Sequence, residues 1–113
     1  MLTTEKLKEF GAEVEKALQR CGNNEALYLR LVGMCVKELQ TSPLGEALKE
    51  GDLDRAFAAA HRLKGSSGNL ALTPVSDPVC ELTDLLRNKT PGDYDGLYER
   101  IVLKTNELAE LMK

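Results

Sequence analysis

Apolar residues along this chain recur at helical spacing, in steps of three and four, and nowhere hold the strict alternation of a strand. Leu7 and Phe10 belong to a short amphipathic start that Gly11 ends. Val14, Ala17 and Leu18 mark a second short helix that stops near Cys21-Gly22-Asn23, so residues 3–21 predict a capping arm. From Asn24 onward, Tyr28, Leu31, Val32, Cys35 and Leu39 lie on one face of an amphipathic helix. Thr41-Ser42-Pro43 should end it, because Ser or Thr caps the next segment and Pro suits a first turn. A brief helical segment then reaches Glu50, after which Gly51 supplies a stop and Asp52 an N-cap.

The helix after Asp52 carries the stripe Leu53, Ala56, Ala60, Leu63, Ser67 and Leu70. Either Thr73-Pro74 or Asp77-Pro78 opens the next, whose stripe is Val75, Val79, Leu82 and Leu86. With two prolines four residues apart, the start of that helix is expected to be displaced or kinked. Residues 88–93 read as a loop, and Tyr98, Ile101, Thr105, Leu108 and Met112 make a last face. Helices with one apolar stripe each, joined by short connections, predict an all-α fold. The expected architecture is an antiparallel four-helix bundle over about residues 24–113 with short additional N-terminal helices, in one domain covering 1–113.

Composition narrows the function. At 113 residues the chain has room for one apolar core but not for a catalytic domain plus a separate substrate domain. A net charge of -3 and a pI near 5.2 argue against nucleic acid and anionic membranes as partners. The amino terminus has no apolar signal region and no stretch approaches membrane-spanning length, so the expected compartment is the cytoplasm. Cys21, Cys35 and Cys80 are odd in number and lack a C-x-x-C pair, which predicts reduced thiols rather than a disulfide framework. With a single histidine besides, no metal site is expected.

That histidine, His61, lies about 120° from the centre of its helix's core stripe and should face solvent. Phe57, Ala58, Lys64, Gly65 and Gly68 fall on the same side, one or two turns away. Two glycines inside a helix cost roughly 1 kcal/mol each relative to alanine, so keeping both beside the histidine calls for a reason other than stability. Access for another protein's cleft is such a reason. A neutral imidazole is a nucleophile near neutral pH, and Lys64 is placed to neutralise a phosphoryl group bringing about -2 charge.

The stretch Ala59-Ala60-His61-Arg62-Leu63-Lys64-Gly65-Ser66-Ser67-Gly68-Asn69-Leu70 resembles the signature helix of histidine-containing phosphotransfer domains, A-H-x-L-K-G-x-x-x-x-[LIF] with a small residue near its end. The resemblance extends to Ala17 through Tyr28 and to the Gly51-Asp52-Leu53 helix start. It implies that His61 is the phosphoacceptor, that Lys64 steadies the phosphoryl group, and that Gly65 and Gly68 keep the face open. The implied partners are receiver domains of response regulators or hybrid histidine kinases. Mg2+ is then expected on the receiver, and no cofactor on this chain, which would act as a monomer. Phe57, Ala58 and Arg62 are candidate partner contacts, and a side stripe of Leu29, Gly33 and Val36 either extends the docking surface as an exposed apolar patch or packs against the short amino-terminal helices.

Three other readings remain at this level. A phosphoacceptor domain of a chemotaxis-type kinase carries a similar H-x-[IL]-K-G run. A helical adaptor with an inert histidine is the second, and the third is an RNA-binding G-x-x-G loop at Gly65–Gly68, which lacks flanking strands and basic charge. A flexible turn through Ser66-Ser67, ending the helix at Lys64, would undo the histidine's setting, but the continuing stripe Leu63, Ser67, Leu70 argues against it.

Overall fold

The computed structural model describes residues 1–113 and contains seven helices and no strand. Helices α1 (Thr4–Phe10) and α2 (Val14–Arg20) form the arm. The bundle is built from α3 (Glu25–Thr41), α5 (Leu53–Asn69), α6 (Thr73–Arg87) and α7 (Tyr94–Glu110), with the short α4 (Leu44–Glu50) between α3 and α5. Side chains next to the helix starts explain the boundaries. The carboxylate of Asp52 accepts a hydrogen bond from the Arg55 amide at 3.1 Å, and Asp93 accepts one from Gly96 at 2.9 Å. Asn24 accepts one from the Leu27 amide at 3.0 Å, and Gly51, at φ 73°, ends α4 in the left-handed conformation that glycine adopts freely.

Helix α5 packs most extensively against α6, and also against α4 and α3, while α7 closes the bundle by packing on α6 and α3. Neighbours run antiparallel: Phe57 near the start of α5 meets Arg87 at the end of α6. The core draws Val32, Cys35 and Val36 from α3, Ala56, Ala60, Leu63 and Ser67 from α5, Val75, Val79, Leu82 and Leu86 from α6, and Leu97, Ile101 and Leu108 from α7. The alanines of α5 let its backbone approach its neighbours closely. Departures from the expected stripes fall at their ends and on α3, where Leu31 and Leu39 are half-buried and Val36 joins the core. Leu53 is half-buried, Met112 is 39% exposed, and Leu97 takes the buried place at the start of α7 that the spacing gave to Tyr98.

The proline pair does not displace α6. The helix starts at Thr73 with Pro74 in its first turn and runs through Pro78 to Arg87. Pro78 forfeits the one helical hydrogen bond that would go to the Pro74 carbonyl, and its ring is buried. Pro74 in turn anchors the arm, because a Cβ at Gly11 would come within 3.0 Å of its ring. Gly11 sits at φ 113°, so both the turn and the contact require a glycine there. The Glu13 amide donates to the Ala71 carbonyl at 3.0 Å, tying the arm to the turn between α5 and α6.

Among the hydroxyl residues buried inside the long helices, Ser67, Thr83 and Thr105 meet different outcomes. Ser67 and Thr83 each donate to the carbonyl four residues back, Leu63 and Val79, at 2.6 Å. The Thr105 hydroxyl is buried with no hydrogen-bond partner from the protein. A buried hydroxyl without a partner costs about 1–3 kcal/mol. Thr105→Val, which keeps the branched shape, should therefore raise unfolding free energy by about 1 kcal/mol in urea denaturation, and a loss of stability would show the hydroxyl to be engaged.

Candidate functional site

Burial of Ala56, Ala59, Ala60, Leu63 and Ser67 fixes the rotation of α5 and leaves His61 exposed on the outer face. One turn back, the half-buried Phe57 lies against the imidazole, ring centroids 5.7 Å apart and planes 9° from parallel. The Arg87 guanidinium stands 5.7 Å from the centroid of the same Phe57 ring and is tethered to Asp84 at 3.1 Å. On the flank toward α3, the exposed Ala58 and Arg62 line a shallow groove with Glu38, Thr41 and Arg55. Ser66 donates to Glu38 at 2.9 Å, joining the two helices beside that groove.

The helix continues past Lys64 through Ser66 and Ser67 to Asn69, which excludes a flexible turn there. Side-chain positions at Gly65 and Gly68 meet no atom within 4 Å, so neither glycine is required by packing. Lys64 is half-buried one turn from His61, and no carboxylate stands within salt-bridge distance of its ammonium.

The end of α5 is held from elsewhere in the chain. Arg20 donates to the carbonyls of Gly68 at 3.0 Å and Asn69 at 2.9 Å, and the buried Tyr28 hydroxyl donates to Leu70 at 3.0 Å. Gly68 also accepts the Ala71 amide at 3.0 Å, so Arg20 is a second donor there, while the Asn69 and Leu70 carbonyls are of the kind that a helix end leaves without internal donors. Burial pushes the Tyr28 phenol up to about 12, which keeps it a donor at any physiological pH. No local sequence pattern announces Arg20 in this role, since its acceptors lie 48 and 49 residues away.

The expected side stripe on α3 is corrected. Val36 is 3% exposed and belongs to the core, so it forms no part of an exposed patch. Gly33 faces the Met112 side chain at the end of α7, and Leu29 is half-buried against the core. The core-facing side of α3 centres between Tyr28, Val32, Cys35 and Val36, which turns Leu31 and Met34 toward α5 instead. Leu31, Met34 and Glu38 share a groove with Ser66 and Asn69, and Met34 is 60% exposed. Of the three free thiols, Cys35 is pushed up to about 12 by burial, with the Glu38 charge adding to it. It is thus an inert core residue at neutral pH.

An exposed imidazole, an unpaired lysine one turn on and a vacant patch at Gly65 and Gly68 beside them suit acceptance of a phosphoryl group from a docked protein. The family model described as the Hpt domain matches residues 27–112, from the first turn of α3 to just past α7. The chain belongs to the Hpt domain family. No curated protein and no solved structure matches it. Membership gives the chain a phosphotransfer role in two-component signalling, in which Hpt domains generally interact with receiver domains. No helix of this Hpt domain is long and apolar enough to cross a membrane.

Because a methyl group at residue 65 meets open space, propensity alone should govern Gly65→Ala. The Hpt domain carrying it should be more stable by up to about 1 kcal/mol in thermal or urea unfolding. A drop in stability would mean that the glycine serves close packing after all.

Proposed function

We propose that this Hpt domain is a phosphorelay intermediate whose His61 takes a phosphoryl group from a receiver phosphoaspartate and passes it to the aspartate of another receiver. The observation that carries the reading is the exposure of the chain's one histidine on the outer face of α5, beside two glycines whose side-chain positions are open. In the forward step a lone pair of the neutral imidazole attacks phosphorus and forms the N–P bond. The O–P bond of the acyl phosphate breaks, and its electron pair stays on the receiver's aspartate. The ring is left as an imidazolium carrying the phosphoryl group, and the reverse of this step delivers it to the next receiver.

Lys64 is a mobile cation one turn away that can follow the transferred oxygens without breaking an existing ion pair. Gly65 and Gly68 leave clearance for the receiver's active-site cleft, and Ala58 and Arg62 border it on the α3 side. The Mg2+ that phosphoryl transfer needs belongs to the receiver, so this chain's part is to present the nucleophile and a neutralising charge. It does so as a cytoplasmic monomer that meets receivers of response regulators or hybrid kinases in turn.

His61→Gln should keep the fold and abolish acid-labile labelling from a phosphorylated receiver. Labelling that persists in this variant would defeat the assignment. Clearance is tested by Gly65→Leu, which should fold at equal or higher stability, lose an order of magnitude or more in transfer from a receiver, and still accept phosphate from phosphoramidate. An equal loss with both donors would show instead that Gly65 shapes the imidazole's own surroundings.

A further inference from the structure

An exposed histidine with no neighbours samples several rotamers and offers a partner either ring nitrogen in many planes. His61 is exposed, yet its ring lies against a wall, 9° from parallel to Phe57 at a centroid distance of 5.7 Å, inside the range of offset stacking. The wall is itself anchored. Phe57 is half-buried against the core, and Arg87, tied to Asp84, stands over the Phe57 ring at cation–π distance. No other aromatic ring stacks on the imidazole.

We propose that Phe57 is a positioning residue for phosphoryl transfer: it holds the His61 imidazole in one plane on the open face of α5, so that a docked receiver meets a nitrogen already aimed. This rests on the reading of His61 as the acceptor. Phe57 touches neither phosphorus nor the receiver's aspartate and acts through the ring it holds. Two effects follow from the stack. Fixing the ring before the receiver arrives removes rotational freedom that would otherwise be lost in reaching the near-attack geometry. As the N–P bond forms, the imidazole becomes an imidazolium, and positive charge then develops beside an aromatic ring, an attraction absent in the neutral starting state.

A positioning role and a docking role differ in what they change. Loss of an orienting stack slows the step inside the complex, whereas loss of a docking contact weakens the complex. The experiment is single-turnover transfer from a phosphorylated receiver to Phe57→Leu, Phe57→Met and Phe57→Tyr across a range of receiver concentrations. With Leu or Met the saturated rate should fall about threefold to tenfold, as expected for one aromatic pair, while the half-saturating concentration stays as in the parent. Tyr, which keeps the ring, should restore the parent rate. Met fills the site with a flexible side chain and reads the same quantity should Leu fail to fold.

A saturated rate unchanged in Leu and Met overturns the proposal. So does a raised half-saturating concentration at an intact saturated rate, which makes Phe57 a docking contact, or a Tyr variant as slow as Leu. His61→Gln measured alongside separates the two levels. If that variant is silent while Phe57→Leu transfers at full rate, only the positioning role fails, and if it still accepts phosphate, the acceptor assignment itself fails.

Discussion

Everything at the site depends on which face of α5 is buried. The helix carries Ala56, Ala59, Ala60, Leu63 and Ser67 into the bundle, and these small residues let α6 and α4 press close to its backbone. Rotating α5 by the 100° that separates successive residues would expose Leu63 and bring the imidazole toward the core, at a cost of a few kcal/mol for the lost apolar burial alone. His61 is therefore aimed outward by the packing of residues that take no part in the chemistry. The same rotation sets Phe57 on the α6 flank, under Arg87, and Ala58, Arg62 and Ser66 on the α3 flank.

Much of this was legible in the spacing of apolar residues. Both arm helices, the Asp52 cap, the α5 stripe and the outward face of His61 follow from steps of three and four together with cap and stop residues. What was not legible has three physical sources. Helix rotation about a centre shared with several partners is poorly fixed by one stripe. On α3 the core takes Val36 and leaves Leu31 half-buried, because α7 and α5 draw that helix from two sides. Contacts between residues far apart in sequence are invisible to local patterns, which is why Arg20 at the end of α5 and Arg87 over Phe57 appear only in the fold. The displaced start that Pro78 suggested did not occur for a third reason: of the two openings offered, the helix takes Thr73-Pro74 and runs through Pro78, where a single carbonyl loses its donor.

The open face that suits α5 to its role also weakens the helix. Gly65 and Gly68 lie in its last turns, and at roughly 1 kcal/mol each relative to alanine they favour fraying one to two turns from the imidazole. Nothing inside α5 offsets this, since its last turn carries no basic residue to meet the negative end of the helix dipole. The Ala71 and Leu72 amides of the following turn cap the Gly68 and Ser67 carbonyls, and further compensation comes from α2 and α3. Arg20 brings a cation and two hydrogen bonds to the Gly68 and Asn69 carbonyls, and Tyr28 closes Leu70 from inside the core. Arg20 lies before the stretch that the Hpt model matches, which begins at Leu27. The arm is thus more than a cover for the bundle end: through Arg20 it supplies part of the C-terminal support that lets α5 keep two glycines on its outer face and remain a helix.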